Sequence, residues 1–140
     1  MYALVIDDTP AQQDKFLEVL SWFGSIRMVL LGTDRADIEQ PGADFGAIVV
    51  GQLRDVAQDA LVRTARARFP EARIIAAIAD DFSGSISERM LRAGADDTID
   101  ARISIWKTGL VLRQILWQHD GAERYVPIHT RMPGLWIETA

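Results

Sequence analysis

Cysteine is absent from the 140 residues. That removes disulfides, thiol nucleophiles, thiolate zinc sites and iron–sulfur clusters together. Histidine is scarce, with only His119 and His129, both late in the chain. A multi-histidine metal site is excluded, and a Ser-His-Asp triad has few candidates. Lysine occurs only at Lys15 and Lys107. Positive charge is in deficit, with 15 basic against 20 acidic residues and a net charge of −5. That balance argues against this domain gripping nucleic acid by itself. No apolar run approaches the roughly 18 residues that a membrane span needs. The opening MYALVIDDTP puts carboxylates where a signal peptide would carry its apolar stretch, so a cytoplasmic chain is expected.

What is present suits one ordinary domain. Hydrophobic residues make up 49% and charged residues 25%. At this length roughly 70% of the unfolded surface can be buried, enough for a core without staples. Tyr2 to Ile6 is a short apolar run that reads as a strand buried on both faces, and it ends in Asp7-Asp8. Thr9-Pro10 then supplies an N-cap with proline at the first helical position. Phe16, Leu17, Leu20 and Phe23 recur at helical spacing, and Gly24 is a stop. Ile26 to Leu31 reads as a second buried strand closed by Gly32, with a short helix after Asp34. Phe45 to Val50 is a third strand followed by Gly51. A helix bearing Val56, Leu61, Ala65 and Phe69 ends at Pro70. Arg73 to Ile78 is a fourth strand, Ser85 to Ala93 a helix stopped by Gly94, and Asp97 to Ala101 a brief fifth strand. Ser104 caps a last helix running to about His119.

Strand and helix thus alternate five times. Continuous apolar strands between amphipathic helices mean a parallel sheet covered on both faces. The expected fold is α/β, a flavodoxin-like doubly wound sheet of five strands in the order 2-1-3-4-5. Sites in such sheets lie beyond the carboxyl ends of the strands. The first strand offers Asp7 and Asp8 there. They are either a cation site, which would relieve their repulsion, or a solvated acidic turn. On the repulsion argument alone, Asp7→Asn should raise stability slightly. The other strand ends, at Gly51, Ile78 and Ala101, supply no nucleophile, base or cation. Asp80-Asp81 and Asp96-Asp97 read as helix-start or turn features.

Two motifs carry a family resemblance. Ala93-Gly94-Ala95-Asp96-Asp97 stands between the fourth helix and fifth strand, and Val5-Ile6-Asp7-Asp8-Thr9-Pro10 closes the first strand. Over residues 1–119 the chain resembles the CheY-like receiver domain of bacterial response regulators. The resemblance implies a phospho-accepting aspartate at the end of the third strand, where this chain has Gly51. It implies a serine or threonine at Ile78, a lysine at Ala101, a proline at Arg102 and an aromatic switch residue at Thr98 or Ile99. Lys15 and Lys107 are too far along the chain to stand in by misalignment, and Asp44 or Asp55 is a poor substitute acceptor. Phosphoryl transfer needs a carboxylate, a divalent cation and groups that hold the phosphate oxygens. The expectation is a degenerate receiver, not an enzyme, with magnesium held weakly at Asp7 and Asp8 if at all.

A domain that keeps the scaffold and loses the switch keeps its surfaces. The last helix carries more apolar residues than one stripe requires, with Trp106, Leu110 and Trp117 displaced from the stripe of Ile105, Leu112 and Leu116. The resemblance implies a homodimer through the fourth helix, fifth strand and fifth helix, and these three residues are its expected anchors. The alternative is cover by residues 120–140, read as a C-terminal extension or the start of a linker to an output domain. Three roles follow. The first is an interaction module that controls an output domain, and the second a receiver-shaped sensor of a small ligand in place of phosphate. The third is a receiver phosphorylated by an unusual route. Arg54, Arg73 and Arg102, mixed with Asp7, Asp8, Asp80 and Asp81, make a poor anion pocket. Arg63, Arg66 and Arg68 read as a solvated helix face.

Overall fold

The structure, a computed structural model, describes residues 1–39, 44–81 and 83–120, with side chains up to 116. The expected extension and the side chain of Trp117 lie outside the described residues. The strands are β1 (Tyr2–Ile6), β2 (Met28–Gly32), β3 (Phe45–Val50), β4 (Arg73–Ile78) and β5 (Asp97–Asp100). The helices are α1 (Pro10–Ser21), α2 (Ala36–Glu39), α3 (Gln58–Arg68), α4 (Ser85–Ala93) and α5 (Ile105–Asp120). The strands form one parallel sheet in the order β2-β1-β3-β4-β5, as expected.

Side chains alternate across the sheet and divide the core in two. On one face Leu4, Ile6, Ile48, Val50, Ile74 and Ala76 pack with Ile38, Leu61, Val62 and Met90 of α2, α3 and α4. On the other, Ala3, Val5, Val49, Ile75 and Ile99 meet Phe16, Leu20, Leu112 and Leu116 of α1 and α5. Each fully buried isoleucine or leucine contributes about 2 kcal/mol by area.

Local chemistry departs from expectation at the start of α1. Pro10 is at the first helical position, but the Thr9 side chain makes no cap bond. Instead the Thr9 amide donates to Asp7 Oδ1 at 2.7 Å. Ser104 does cap α5, its Oγ accepting from the Lys107 amide at 3.2 Å.

The larger departure is β2. It starts at Met28 rather than Ile26, and it is not buried: Met28 is 49% exposed, Leu30 40% and Leu31 40%. It is an edge strand among the described residues. An apolar run alone cannot reveal which strand will lack a neighbour. The opposite edge, β5, is charged. Asp97 pairs with Arg73 at 3.6 Å and Asp100 with Arg102 at 3.2 Å.

Candidate functional site

The carboxyl end of the sheet holds Asp7, Asp8 and Gly51 together. Ile6 is in register with Val50 on one side and Gly32 on the other. Pairing continues past the strands, since the Gly51 amide donates to the Ile6 carbonyl at 2.7 Å and the Asp8 amide to the Gln52 carbonyl at 3.1 Å. Asp7 is 2% exposed. Its Oδ1 takes the Thr9 amide and its Oδ2 the Gln52 amide at 3.3 Å. A Cβ added to Gly51 would lie 2.8 Å from Asp7 Cγ and nearer still to Oδ2. The position therefore tolerates only glycine while the Asp7 carboxylate occupies that space. Burial pushes the Asp7 carboxyl above its usual range, against the two backbone amides, which pull it down.

A magnesium ion needs anionic oxygens free to face it. Both oxygens of Asp7 accept backbone amides, and Asp8 Oδ2 accepts the Arg54 amide at 2.6 Å. Among the described residues no three acidic or histidine side chains converge. With Gly51 where the receiver resemblance implies a third carboxylate, the described residues leave only the Asp7 and Asp8 pair for a cation.

Ile78 closes β4, as expected, whereas β5 ends at Asp100, one residue short of the expected end, so Ala101 follows it; both residues are buried. What holds this end was not legible in advance. Lys15, from α1, donates to the carbonyls of Ala101 at 2.6 Å and Ile103 at 3.2 Å. Gln12 donates to the same Ala101 carbonyl at 2.9 Å. Lys15 was set aside on its distance along the chain, yet the helix packs beside the loop after β5. Burial lowers the Lys15 pKa, opposed by the charges of Asp100 and Asp7. Gln58 donates to the carbonyls of Val50 at 3.0 Å and Ala77 at 2.7 Å, and accepts from Gln52. Glutamines carry no motif, so nothing in the sequence singled them out.

The remaining acidic pairs are structural, as expected. Asp81 accepts the amides of Ile86 and Ser87 and the Ser87 hydroxyl at the start of α4. That hydroxyl, with the amides, holds its carboxyl below the usual range. Asp96 accepts the Ile74 amide at 2.9 Å and pairs with Arg66 at 2.6 Å. Arg66 also donates to Gly94, Pro70 and Ala72 carbonyls, so it ties α3 to the turn before β5 rather than lining a solvated face.

The mixed pocket does not assemble as expected. Arg73 begins β4, at the amino end of the sheet, and Asp44 precedes β3 at that same end. Asp55 is exposed in the turn after β3. Arg102 alone faces the groove of about 260 Å³ beside Ile78, Asp81, Ser87, Thr98 and Asp100. It is engaged by Asp80 at 3.1 Å as well as by Asp100. On α5, Trp106 is 46% exposed and stacks on the buried Trp22, with ring centroids 5.3 Å apart. Leu110 is 59% exposed.

The sheet order, the covering helices and this strand-end site define the CheY-like receiver fold. Solved receivers share it. The receiver domain of sensor histidine kinase PA1611 from Pseudomonas aeruginosa PAO1, with magnesium in its active site cleft, superposes with a TM-score of 0.66 at 22% identity. That match covers 82% of this chain and 96% of that one. Response regulator DrrB of Thermotoga maritima, an OmpR/PhoB homologue, gives 0.67 at 21% identity over 86% of this chain and 54% of that one. The CheY-like protein tadZ of Pseudomonas aeruginosa PAO1 gives 0.62 at 20%, covering 82% and 99%. No protein-family model and no curated protein matches the chain by sequence.

Proposed function

We propose that this domain is a degenerate receiver: a signalling module that takes no phosphate at the usual position and acts through its surfaces on an output domain or partner. The observation that carries the reading is the Asp7 carboxylate lying where a side chain at position 51 would stand. No acceptor stands at the strand end, and its volume is filled by a neighbour already bonded to Thr9 and Gln52. The serine or threonine expected at position 78 and the lysine expected at position 101 are absent too, Ile78 and Ala101 standing there. The module is not an enzyme, and it holds magnesium weakly if at all. Incubation with acetyl phosphate and magnesium, followed by intact mass measurement, should give no adduct. A stable stoichiometric phosphoryl adduct would overturn the reading.

The surface we assign to partners includes α5, as part of a homodimer face with α4 and β5. Trp106, 46% exposed, and Leu110, 59% exposed, lie on that face. Association through this face should not respond to phosphodonors. Sedimentation of Leu110→Ala at matched concentration tests it; an unshifted dimer would place the interface elsewhere. That DrrB matches over only 54% of its own length supports a role beside an output domain.

A further inference from the structure

Among the described residues, β2 ends the sheet with no strand beside it. Its five residues, Met28–Gly32, include no charge and no proline. Its register with β1 runs unbroken from Tyr2↔Met28 to Ile6↔Gly32, so no bulge twists it away. Edge strands are normally blunted by such devices, because unpaired amides and carbonyls invite another strand. On one face Tyr2, Met28 and Leu30 are exposed in a row, and Leu31 is exposed on the other.

Hydrogen bonding fixes which groups are unspent. The Asp7 amide donates to the Gly32 carbonyl at 3.1 Å. In a parallel ladder that phase turns the amides and carbonyls of Met28, Leu30 and Gly32 toward β1, and those of Val29 and Leu31 outward. The next candidates on either side are used. The Arg27 amide donates to the Met1 carbonyl at 2.8 Å, and the Thr33 amide to Asp37 Oδ2 at 2.9 Å. The free edge is therefore Val29 and Leu31, centred on Leu30.

We propose that this edge is an interface with a second copy of the chain, the two β2 strands pairing antiparallel about a two-fold axis at Leu30. Val29 of each copy then faces Leu31 of the other in hydrogen-bonded pairs, and the two Leu30 residues form the non-hydrogen-bonded pair between them. Shifting the centre to Val29 or Leu31 would bring in the spent amide of Arg27 or Thr33. Met28 lies opposite Gly32, which adds no side chain of its own. Tyr2, Met28 and Leu30 of both copies join into one apolar stripe across the seam. Charge agrees with this partner. Arg27 precedes the strand, is exposed and has no ion-pair partner among the described residues. Asp34 follows the strand, and antiparallel pairing brings Arg27 of one copy to the Asp34 end of the other. The contact is isologous and leaves the α5 face open, at the far edge of the sheet.

The absence of native cysteine makes the test direct. In the full chain, Leu30→Cys puts two thiols on a pair whose Cα atoms stand about 4.5 Å apart, within disulfide reach. Met28→Cys puts them four residues apart along the seam, roughly 13 Å and out of reach. Mild oxidation should cross-link the first variant at least about tenfold faster than the second at equal concentration. Leu30→Lys should sediment at lower mass than the parent while keeping its circular dichroism. Equal cross-linking of the two cysteine variants, or no cross-linking of Leu30→Cys, would overturn the proposal. So would a Leu30→Lys variant that sediments like the parent. Neither readout depends on whether the domain takes phosphate.

Discussion

At the carboxyl end of the sheet, polar groups are spent inwardly: Asp7 on Thr9 and Gln52, Asp8 on Arg54, Lys15 on Ala101 and Ile103, Gln58 on Val50 and Ala77. At β2 the reverse holds, with apolar side chains exposed and, among the described residues, no strand beside the outward backbone of Val29 and Leu31. The first region lies where this fold does chemistry, and its charges and amides satisfy one another. The second lies at the margin, and what it leaves over suits another chain. The contrast teaches that carboxylates bonded to the backbone serve as scaffold, while unspent groups mark where recognition can occur.

Substitutions should separate the two regions by the size of their effect on folding. Gly51→Ala should be the most damaging, because its Cβ meets Asp7 in a closed site; a loss of about 3 kcal/mol is expected in urea unfolding. A loss below about 0.5 kcal/mol would mean that Asp7 moves aside freely. Gln58→Ala comes next. It leaves the carbonyls of Val50 and Ala77 without its amide, at a cost of about 2 kcal/mol by the same measurement.

Asp7→Asn should cost about 1 kcal/mol, since the amide supplies one acceptor where the carboxylate supplies two. This reverses the gain expected from charge repulsion alone, a sign that only the hydrogen-bond geometry decides. Burial raises the Asp7 pKa, so the folded state holds that proton more tightly than the unfolded chain does. The resulting stability is fully present below the ordinary value of 3.8 and is lost as pH rises through the raised one. The cost of Asn should accordingly be greater in acid than at neutral pH, as paired unfolding curves would show. Leu30→Lys should have the smallest effect, within about 0.5 kcal/mol for the isolated domain, because the side chain is already 40% exposed. A larger loss would make β2 a working part of the core and blur the contrast.

The fold was largely legible because its signals are local. β1, β3 and β4 fall on the apolar runs 2–6, 45–50 and 73–78, and α4 ends at Gly94, whose φ of 123° suits glycine. The exposure of β2 is not legible in its apolar run, because it depends on sheet order, which the run does not encode. At the strand ends, the positions of Asp7, Gly51, Ile78 and Ala101 were legible from alternation and motif. Their bonding was not. Lys15 reaches Ala101 across 86 residues of sequence, and Gln58 joins two strand ends that only the fold makes neighbours. Thr9 looks like a cap by residue type, but its hydroxyl makes no cap bond, and its amide donates to Asp7.

The way Asp7 lies over Gly51 also bears on the history such a chain can have. Glycine and aspartate codons can differ by one base, so an acceptor at position 51 is a single mutational step away. In this background the new carboxylate would arrive in space already held by Asp7, beside a like charge and against a closed backbone. Its carrier would pay in folding before gaining any chemistry. Restoring the acceptor therefore requires Asp7 to give up Gln52 first, a change with no benefit alone. On the proposed reading, this packing keeps such a chain from gaining an acceptor at position 51 in one step, and selection is left to act on its surfaces.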